Sequence, residues 1–411
     1  MFVYFEKGKT INPIKIWLQN IQDIEGSCLL QGINLSNLPF IHKWVNLMPD
    51  THTGKGMPIG GVIATDGVVI PNAVGVDIGC GMGFVQTDIP VSVLRETMTG
   101  NGTLLQTIIS DILRNIPTGY NHHKKPQESK VLNQAKNEID KYMADSELIP
   151  QIEDGYYQIG TLGGGNHFIE LQQDENGLVG IMLHSGSRHF GNIVGQHFNK
   201  MARELNEKWY SMVPAEYSLP FLPVDTPEGQ RYINWMNLSL DFAYENRTRM
   251  LERVKEIFTH YLEKYTNLHP NYENEINCHH NYASYENHYN KDVWVHRKGA
   301  TRVRDGELAI IPGAMGSYSY IVKGKGNEES FCSSSHGAGR RYSRTGAKEN
   351  FSVEQVMLDL KMNQVVLGKH NKQDVAEEAR FAYKDIDIVM SNQTDLVEPV
   401  KRLFTIGVVK G

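Results

Sequence analysis

The sequence predicts an α+β protein: a single compact domain of mixed, largely antiparallel sheets, with helices around a central metal-containing cleft. Two observations predict it. Glycine-punctuated, Val/Ile-rich segments alternate with amphipathic helical ones, and the chemically interesting polar residues are scattered from about position 50 to position 410 rather than grouped in one module. Strands joined by tight turns are expected in "MPIGGVIATDGVVIPNAVGVDIGCGMGFV", "IGTLGGGNHFIEL", "GLVGIMLHSGSR", "DVWVHRKGATRV" and "LAIIPGAMGSYSYIVKGKG". The clearest helix is "MLERVKEIFTHYLEKY", where Met250, Val254, Ile257, Phe258 and Tyr261 form one apolar stripe. Helices are also expected around 104–115, 129–144, 193–209 and 370–380. Residues 1–411 are taken as one domain, with a helical insertion or cap at about 195–265.

Composition narrows the class. The 411 residues are 40% hydrophobic and 21% charged, as in ordinary globular proteins. No apolar run reaches the ~18 residues of a membrane span, and the start lacks the pattern of a secretory signal. Four cysteines without a CxxC pair argue against a disulfide framework, so a reducing, cytoplasmic location is expected. A net charge of -6 excludes nucleic-acid binding by bulk positive charge, though not by a local or metal-made positive site.

Histidines next to turn residues carry the chemistry. Asp77 and Cys80 in "VDIGCGM" leave a strand and enter a glycine turn, which brings a carboxylate and a thiol toward one locus. His167 follows three glycines, His184 ends an apolar strand, and His279 and His280 lie in "INCHHNYA". Singly, each suits a hydrogen-bonded turn residue. Together they suggest a metal site, zinc by its thiolate and imidazoles or manganese and iron by its carboxylate. With more ligands than one tetrahedral ion needs, a thiolate bridging two ions is expected, and paired ions suit phosphoryl chemistry.

The turns "GGGNHF", "PGAMGSYS" and "HGAGR" offer backbone N–H groups to phosphate oxygens, although none is a Walker A loop. With Arg297, Lys298, Arg302, Arg340 and Arg344, they suggest a nucleotide or phosphodiester substrate. His336, in "SSSHGAGRRYSR", has the residue logic of a nucleophile, a general base or a metal ligand alike.

These motifs, in this order, resemble the RtcB family of RNA-splicing and repair ligases over essentially the whole chain. The likeness is carried by "MPDTHTGKGMPIGGVIAT", "PNAVGVDIGCGM", "GTLGGGNHFIEL", "MLHSGSR", "CHHNYA", "VHRKGAT", "IIPGAMG", "SSSHGAGRRYSR" and "GVVKG". The resemblance implies a GTP- and Mn²⁺-dependent ligase joining an RNA 3′-phosphate or 2′,3′-cyclic phosphate to a 5′-hydroxyl, in tRNA splicing or RNA repair. It implies two manganese ions held by Asp77, Cys80, His167, His184 and His280, and a covalent GMP adduct on His336. The nucleotide would be held by Asn166, His167, Phe168, Ile169, Glu170, His280, Asn281, Pro312, Gly313, Ala314, Met315, Ser319, His336, Gly337, Ala338, Gly339 and Lys410. Glu170 would read the guanine edge, and Arg188, Arg340 and Arg344 would hold RNA or phosphate. A monomer is expected, with room for an activating protein partner. The chain departs from the family pattern at Ala314, where relatives carry serine, and at Arg341 and Tyr342, where an apolar pair is usual. Two other readings predict different chemistry: a binuclear phosphoesterase without guanylation, and an RNA-binding subunit that consumes no GTP.

Overall fold

Two sheets share the chain and meet at the cleft. In the computed structural model, which describes residues 1–411, the first sheet has six strands in the order Phe2–Tyr4, Ile14–Ile16, Ile41–His52, Ile59–Thr65, Lys291–Lys298, Asn281–His288. Its pairings are antiparallel except that Ile14–Ile16 runs parallel to Ile41–His52. The second runs Tyr272–His279, Gly81–Pro90, Leu178–Ser185, Phe168–Asp174, Val397–Lys410, Tyr318–Gly324, Leu308–Ile311, all antiparallel. Val366–Gly368 joins Val397–Lys410 in parallel. This sheet curls until its outer strands approach each other, Cys278 lying against the backbone of Ile310. The architecture is the expected α+β one.

Alternation along the strands separates core from cleft. In Leu178–Ser185, the side chains of Val179, Ile181 and Leu183 enter one hydrophobic core, while Met182 faces a second and His184 faces the cleft. The neighbouring strand repeats the pattern: Ile169 and Leu171 go to the core, Phe168 and Glu170 to the cleft. A slip of one residue would bury the wrong set, so packing fixes the register.

The helices cover the outer face of the second sheet. Leu104–Asn115 starts with a capping box between Thr103 and Gln106 and buries Leu104, Leu105, Ile108, Ile109 and Ile112. The 40-residue helix Pro227–Thr266 starts at Thr226, whose hydroxyl accepts from the Gly229 amide, with Pro227 in the first turn. Its N-terminal half packs Tyr232, Trp235, Met236 and Phe242 against Phe190, Val194 and Phe198 of the helix Arg188–Lys208. Its C-terminal half packs Met250, Leu251, Val254, Ile257, Phe258 and Leu262 on the sheet. At about 1.5–3 kcal/mol per fully buried large apolar side chain, this helix is a principal stabiliser of the sheet it covers. The segment 195–265 is thus the rest of one helix, a connection and most of another; the helices pack into the two main cores, and the connection also packs Leu219 under the first sheet.

The other helical expectations fare unevenly. Residues 129–144 form the helix Lys130–Asn137 and then short 3₁₀ turns, and 193–209 falls within Arg188–Lys208. The helix expected at 370–380 is instead two 3₁₀ turns, Gln373–Glu378 and Arg380–Ala382. Tertiary contacts outcompete helix propensity here. Arg340 takes the Glu377 carbonyl, and Glu378 is drawn inward by Lys410 and Tyr383.

Inside the first sheet, Arg297 is completely buried and forks onto Glu286 at 2.6 and 3.1 Å. Burial opposes ionisation of Glu286, but the guanidinium beside it holds its carboxyl far below the usual range. Glu286→Ala leaves that charge unpaired and is expected to cost about 3–5 kcal/mol, read as a lower urea midpoint at an unchanged slope.

Candidate active site

The cleft is a cavity of about 350 Å³ between the two sheets. Its position follows from a crossing of the chain. The strand Tyr272–His279 belongs to the second sheet and Asn281–His288 to the first, with only His280 between them. His280 therefore sits at the seam. Its amide donates to the Cys80 carbonyl, and the Gly79 amide donates to the Asn281 carbonyl, so the Asp77–Cys80 turn is stitched to the seam.

Around this seam the donor atoms converge. Cys80 Sγ lies 3.4 Å from His167 Nε2 and 3.2 Å from His184 Nε2. His167 Nε2 is 3.1 Å from Asp77 Oδ2, and His184 Nε2 is 3.3 Å from His280 Nε2. His167 donates its other ring nitrogen, Nδ1, to the Leu162 carbonyl at 3.0 Å, and His184 donates its own to the Asn166 carbonyl at 3.1 Å. Both Nε2 atoms are thereby turned inward, the orientation that metal-binding imidazoles need. Ligands ~2.0–2.3 Å from one ion stand roughly 3.2–3.6 Å apart, so these spacings fit a bound transition-metal dication.

Electrostatics agree with that donor set. Burial pushes His184 and His280 well below the usual imidazole range, so both imidazoles are neutral. Burial opposes ionisation of Asp77, yet its hydrogen bond with His167 brings it to about 2. Burial and Asp77 push the Cys80 thiol well up, so a metal must displace its proton.

The long helix braces this turn cluster from behind. Arg247 is wholly buried, and burial lowers its pKa to about 10, which leaves it cationic at neutral pH. It donates to the carbonyls of Gly79 (2.7 Å) and Ser185 (3.0 Å), to Asn277 Oδ1 (2.7 Å) and to His279 Nδ1 (3.0 Å). One side chain thus ties down the neighbours of Cys80, His184 and His280. Asn246 beside it binds the backbone of Gly160, Thr161 and Gly186.

Across the seam, the His336 ring lies 4.7 Å, centroid to centroid, from His280. Its Nδ1 is 2.6 Å from Asp50 Oδ2, and its amide donates to the same oxygen at 3.1 Å. Asp50 is completely buried. The pairing puts the proton on Nδ1 and leaves the Nε2 lone pair free. Two glycines make the close approach possible. A Cβ on Gly339 (φ +74°) would strike the Asp50 carbonyl, and one on Gly299 (φ +62°) would meet Ile59 and the His336 ring.

At the other end, Glu170 Oε2 accepts from Gln172 Nε2 (2.7 Å) and Thr405 Oγ1 (3.1 Å), and burial raises the carboxyl to about 7. Lys410 Nζ pairs with Glu378 at 2.7 Å, and the Tyr383 hydroxyl donates to the same oxygen at 2.6 Å.

Most residues singled out by sequence line this cavity: Asp77, Cys80, Asn166, Phe168, Glu170, His184, His280, Asn281, Pro312 to Met315, His336 to Arg340, Arg344 and Lys410. Ile169 points away into a core. Ser319 stands one bond back, its hydroxyl accepting from the Gly313 amide. Arg188 lies behind His167 and donates instead to Thr161 Oγ1 (3.2 Å) and the Gly119 carbonyl (3.1 Å). Three of the cations expected to bind phosphate are committed elsewhere: Arg297 to Glu286, Lys298 to the Lys55 and Asn72 carbonyls, Arg302 to Glu307. Arg340 spends its donors on Glu378, Tyr383 and the Tyr342 and Glu377 carbonyls. Asp50, His52, Glu378 and Tyr383 were missed. Asp50 and His52 stand in the motif "MPDTHTGKG", whose carboxylate was the available signal, while 370–380 offered only a helical pattern.

A cleft that gathers candidate metal donors beside an oriented histidine narrows the class, and comparison with known proteins makes it specific. The family described as "tRNA-splicing ligase RtcB" matches residues 31–411. An RNA-splicing ligase RtcB of Escherichia coli (strain K12) is 38% identical over 414 residues, covering 97% of each chain. A tRNA-splicing ligase RtcB of Nanoarchaeum equitans is 31% identical, covering 99% of this chain and 97% of its own. The Mycobacterium tuberculosis RNA-splicing ligase RtcB is 32% identical, covering 93% of this chain and all of its own. The chain belongs to the RtcB family.

Two outcomes test the brace and the ligands. Arg247→Lys keeps the charge but loses the fork, and metal affinity measured by chelator competition is expected to fall about 10–100-fold. Affinity in the parent protein should rise with pH below the thiol pKa, by about tenfold per unit for the one Cys80 proton released. The neutral imidazoles His184 and His280 add no proton competition at neutral pH.

Proposed function

We propose that the chain is a GTP- and manganese-dependent RNA ligase that joins 3′-phosphate or 2′,3′-cyclic phosphate ends to 5′-hydroxyl ends through a His336–GMP intermediate. The observation that carries this reading is the Asp50–His336 pair, which leaves Nε2 as a nucleophile facing a cavity lined by metal donors at one end and Glu170 at the other. Family membership supplies the ligase class.

Asp77, Cys80, His167, His184 and His280 would hold the two manganese ions, which would supply Lewis-acid charge at the GTP phosphates. His336 Nε2 attacks the α-phosphorus of GTP, and pyrophosphate leaves. Asp50 holds Nδ1–H throughout and stabilises the positive ring as the N–P bond forms. Glu170, as a carboxylate, accepts from guanine N1–H and the 2-amino group, an arrangement adenine lacks. Asn166, Phe168 and Asn281 shape the nucleotide pocket, as do the Pro312–Met315 turn and Gly337 to Gly339, while Lys410 adds positive charge. Ile169 and Ser319 support this pocket from behind. The guanylate passes from His336 to the RNA 3′-phosphate, giving that end a GMP leaving group. The 5′-hydroxyl then attacks, closes the phosphodiester and releases GMP. A cyclic phosphate is hydrolysed to a 3′-phosphate first. Arg344 at the rim and Arg188 beside His167 suit RNA phosphates, and Arg340 holds the pocket floor. A cytoplasmic monomer, aided by a protein activator where one exists, suits a role in tRNA splicing or RNA repair; no helix is long and apolar enough to cross a membrane.

Incubation with α-³²P-GTP and Mn²⁺, without RNA, is expected to leave an acid-labile label on the denatured protein. ATP should give none, His336→Ala should abolish it, and Asp50→Asn should slow it by at least ~100-fold. A metal-loaded protein that acquires no label overturns this reading in favour of a phosphoesterase. Guanine selectivity should weaken as pH falls through about 7, because protonation of Glu170 removes the acceptor, and Glu170→Gln should flatten that dependence. GTP and ATP competition for labelling across pH measures it.

A further inference from the structure

The strand Asn281–His288 starts beside the active site and ends, roughly 25 Å away along an extended backbone, at a second group of metal-type donors. His288 Nδ1 is 2.8 Å from Glu328 Oε2, Cys332 Sγ is 3.9 Å from Glu328 Oε1, and the three ligand atoms lie within 4.8 Å of one another. His288 and Cys332 are buried, while Glu328 is half-exposed and opens the group to solvent.

What surrounds the group matters as much as the donors. His288 Nε2 is 3.0 Å from Glu286 Oε2, and Arg297 holds that carboxylate in its fork. A carboxylate behind the far nitrogen of a histidine is the usual support for an imidazole that binds metal through its other nitrogen. Arg297 also donates to the Phe331 carbonyl and to Ser333 Oγ, fixing the backbone on both sides of Cys332.

We infer that His288 Nδ1, Cys332 Sγ and a Glu328 carboxylate oxygen form a second metal site, separate from the catalytic cleft, for a borderline-soft dication such as zinc. One thiolate, one imidazole and one carboxylate leave a fourth tetrahedral position to water on the open side. Binding breaks the Cys332 S–H bond and the His288 Nδ1–H bond. Both protons go to solvent, and metal–sulfur and metal–nitrogen bonds form without redox change. Charge stays balanced. The metal-free cluster pairs a cationic His288 and Arg297 with two carboxylates. Exchanging two protons for a dication leaves the net charge of the cluster the same, so no uncompensated charge is buried.

The site would clip together two segments that the cleft depends on. The strand Asn281–His288 leads back to His280, and Cys332 begins the short run through Ser333–Ser335 to His336. A metal there is structural, so its signature is stoichiometry, not turnover.

The test titrates metal-free, full-length protein with Zn²⁺ alone and counts bound equivalents after equilibrium dialysis. Cys332→Ser, an exchange of one atom, is expected to bind one equivalent fewer than the parent. Cys80→Ser should retain the Cys332-dependent ion, and zinc-edge X-ray absorption on that variant should show one sulfur neighbour, absent when Cys332→Ser is added. Equal zinc content in the parent and Cys332→Ser, or no sulfur neighbour in Cys80→Ser, overturns the proposal and leaves the cluster as an imidazolium–carboxylate network.

Discussion

The site depends on one buried guanidinium. Arg247 reaches from the long helix into the back of the cleft and binds the backbone or side chains next to three candidate metal ligands that lie far apart in sequence. A buried arginine is costly unless its donors are met, and here four acceptors meet it. Those acceptors are two backbone carbonyls, an amide oxygen and a ring nitrogen, all at or beside strand ends. The charge and the frayed strand ends satisfy each other. The helix that carries Arg247 is itself held by the apolar packing of both its halves, so the hydrophobic core ultimately positions the ligands.

The seam at His280 explains why the ligands converge at all. Antiparallel sheets end in turns, and turns expose polar groups. Here the ends of both sheets face each other across a single residue, which gathers Cys80, His184, His280 and His336 into one wall. The glycines at the crossing admit backbones at distances a Cβ would forbid, and Gly339 against Asp50 is the clearest instance. With Asp50 buried beneath His336, the imidazole keeps one tautomer, and the ring lines the cavity.

Burial sets the chemistry of the individual groups in opposite directions. It keeps His184 and His280 neutral, raises the Cys80 thiol and brings Glu170 near neutrality, while contact with His167 keeps Asp77 ionised.

Much of this was legible in the sequence because local pattern carried it. The apolar run ending at His184 and the β-like run after His167 marked strands with a candidate ligand at the tip, the stripe from Met250 to Tyr261 marked a helix, and the Gly-rich turns marked the cavity lining. Tertiary structure alone decided which polar residues serve the site and which serve the fold. Arg297 and Arg302 resemble phosphate binders as residue types, but each finds its carboxylate inside the structure. Asp50 sits in a motif that marks a turn but does not name its partner, and Glu378 lies in a helical pattern; their partners are 286 and 32 residues away. The segment 370–380 has a helical pattern, but inward bonds from Glu378 and to the Glu377 carbonyl hold it in turns. Alternation and turn chemistry are properties of neighbouring residues, so the sequence by itself determined the elements and the candidate ligands. The pairing of charges is a property of what the folded chain brings together, and only the packed structure decided it.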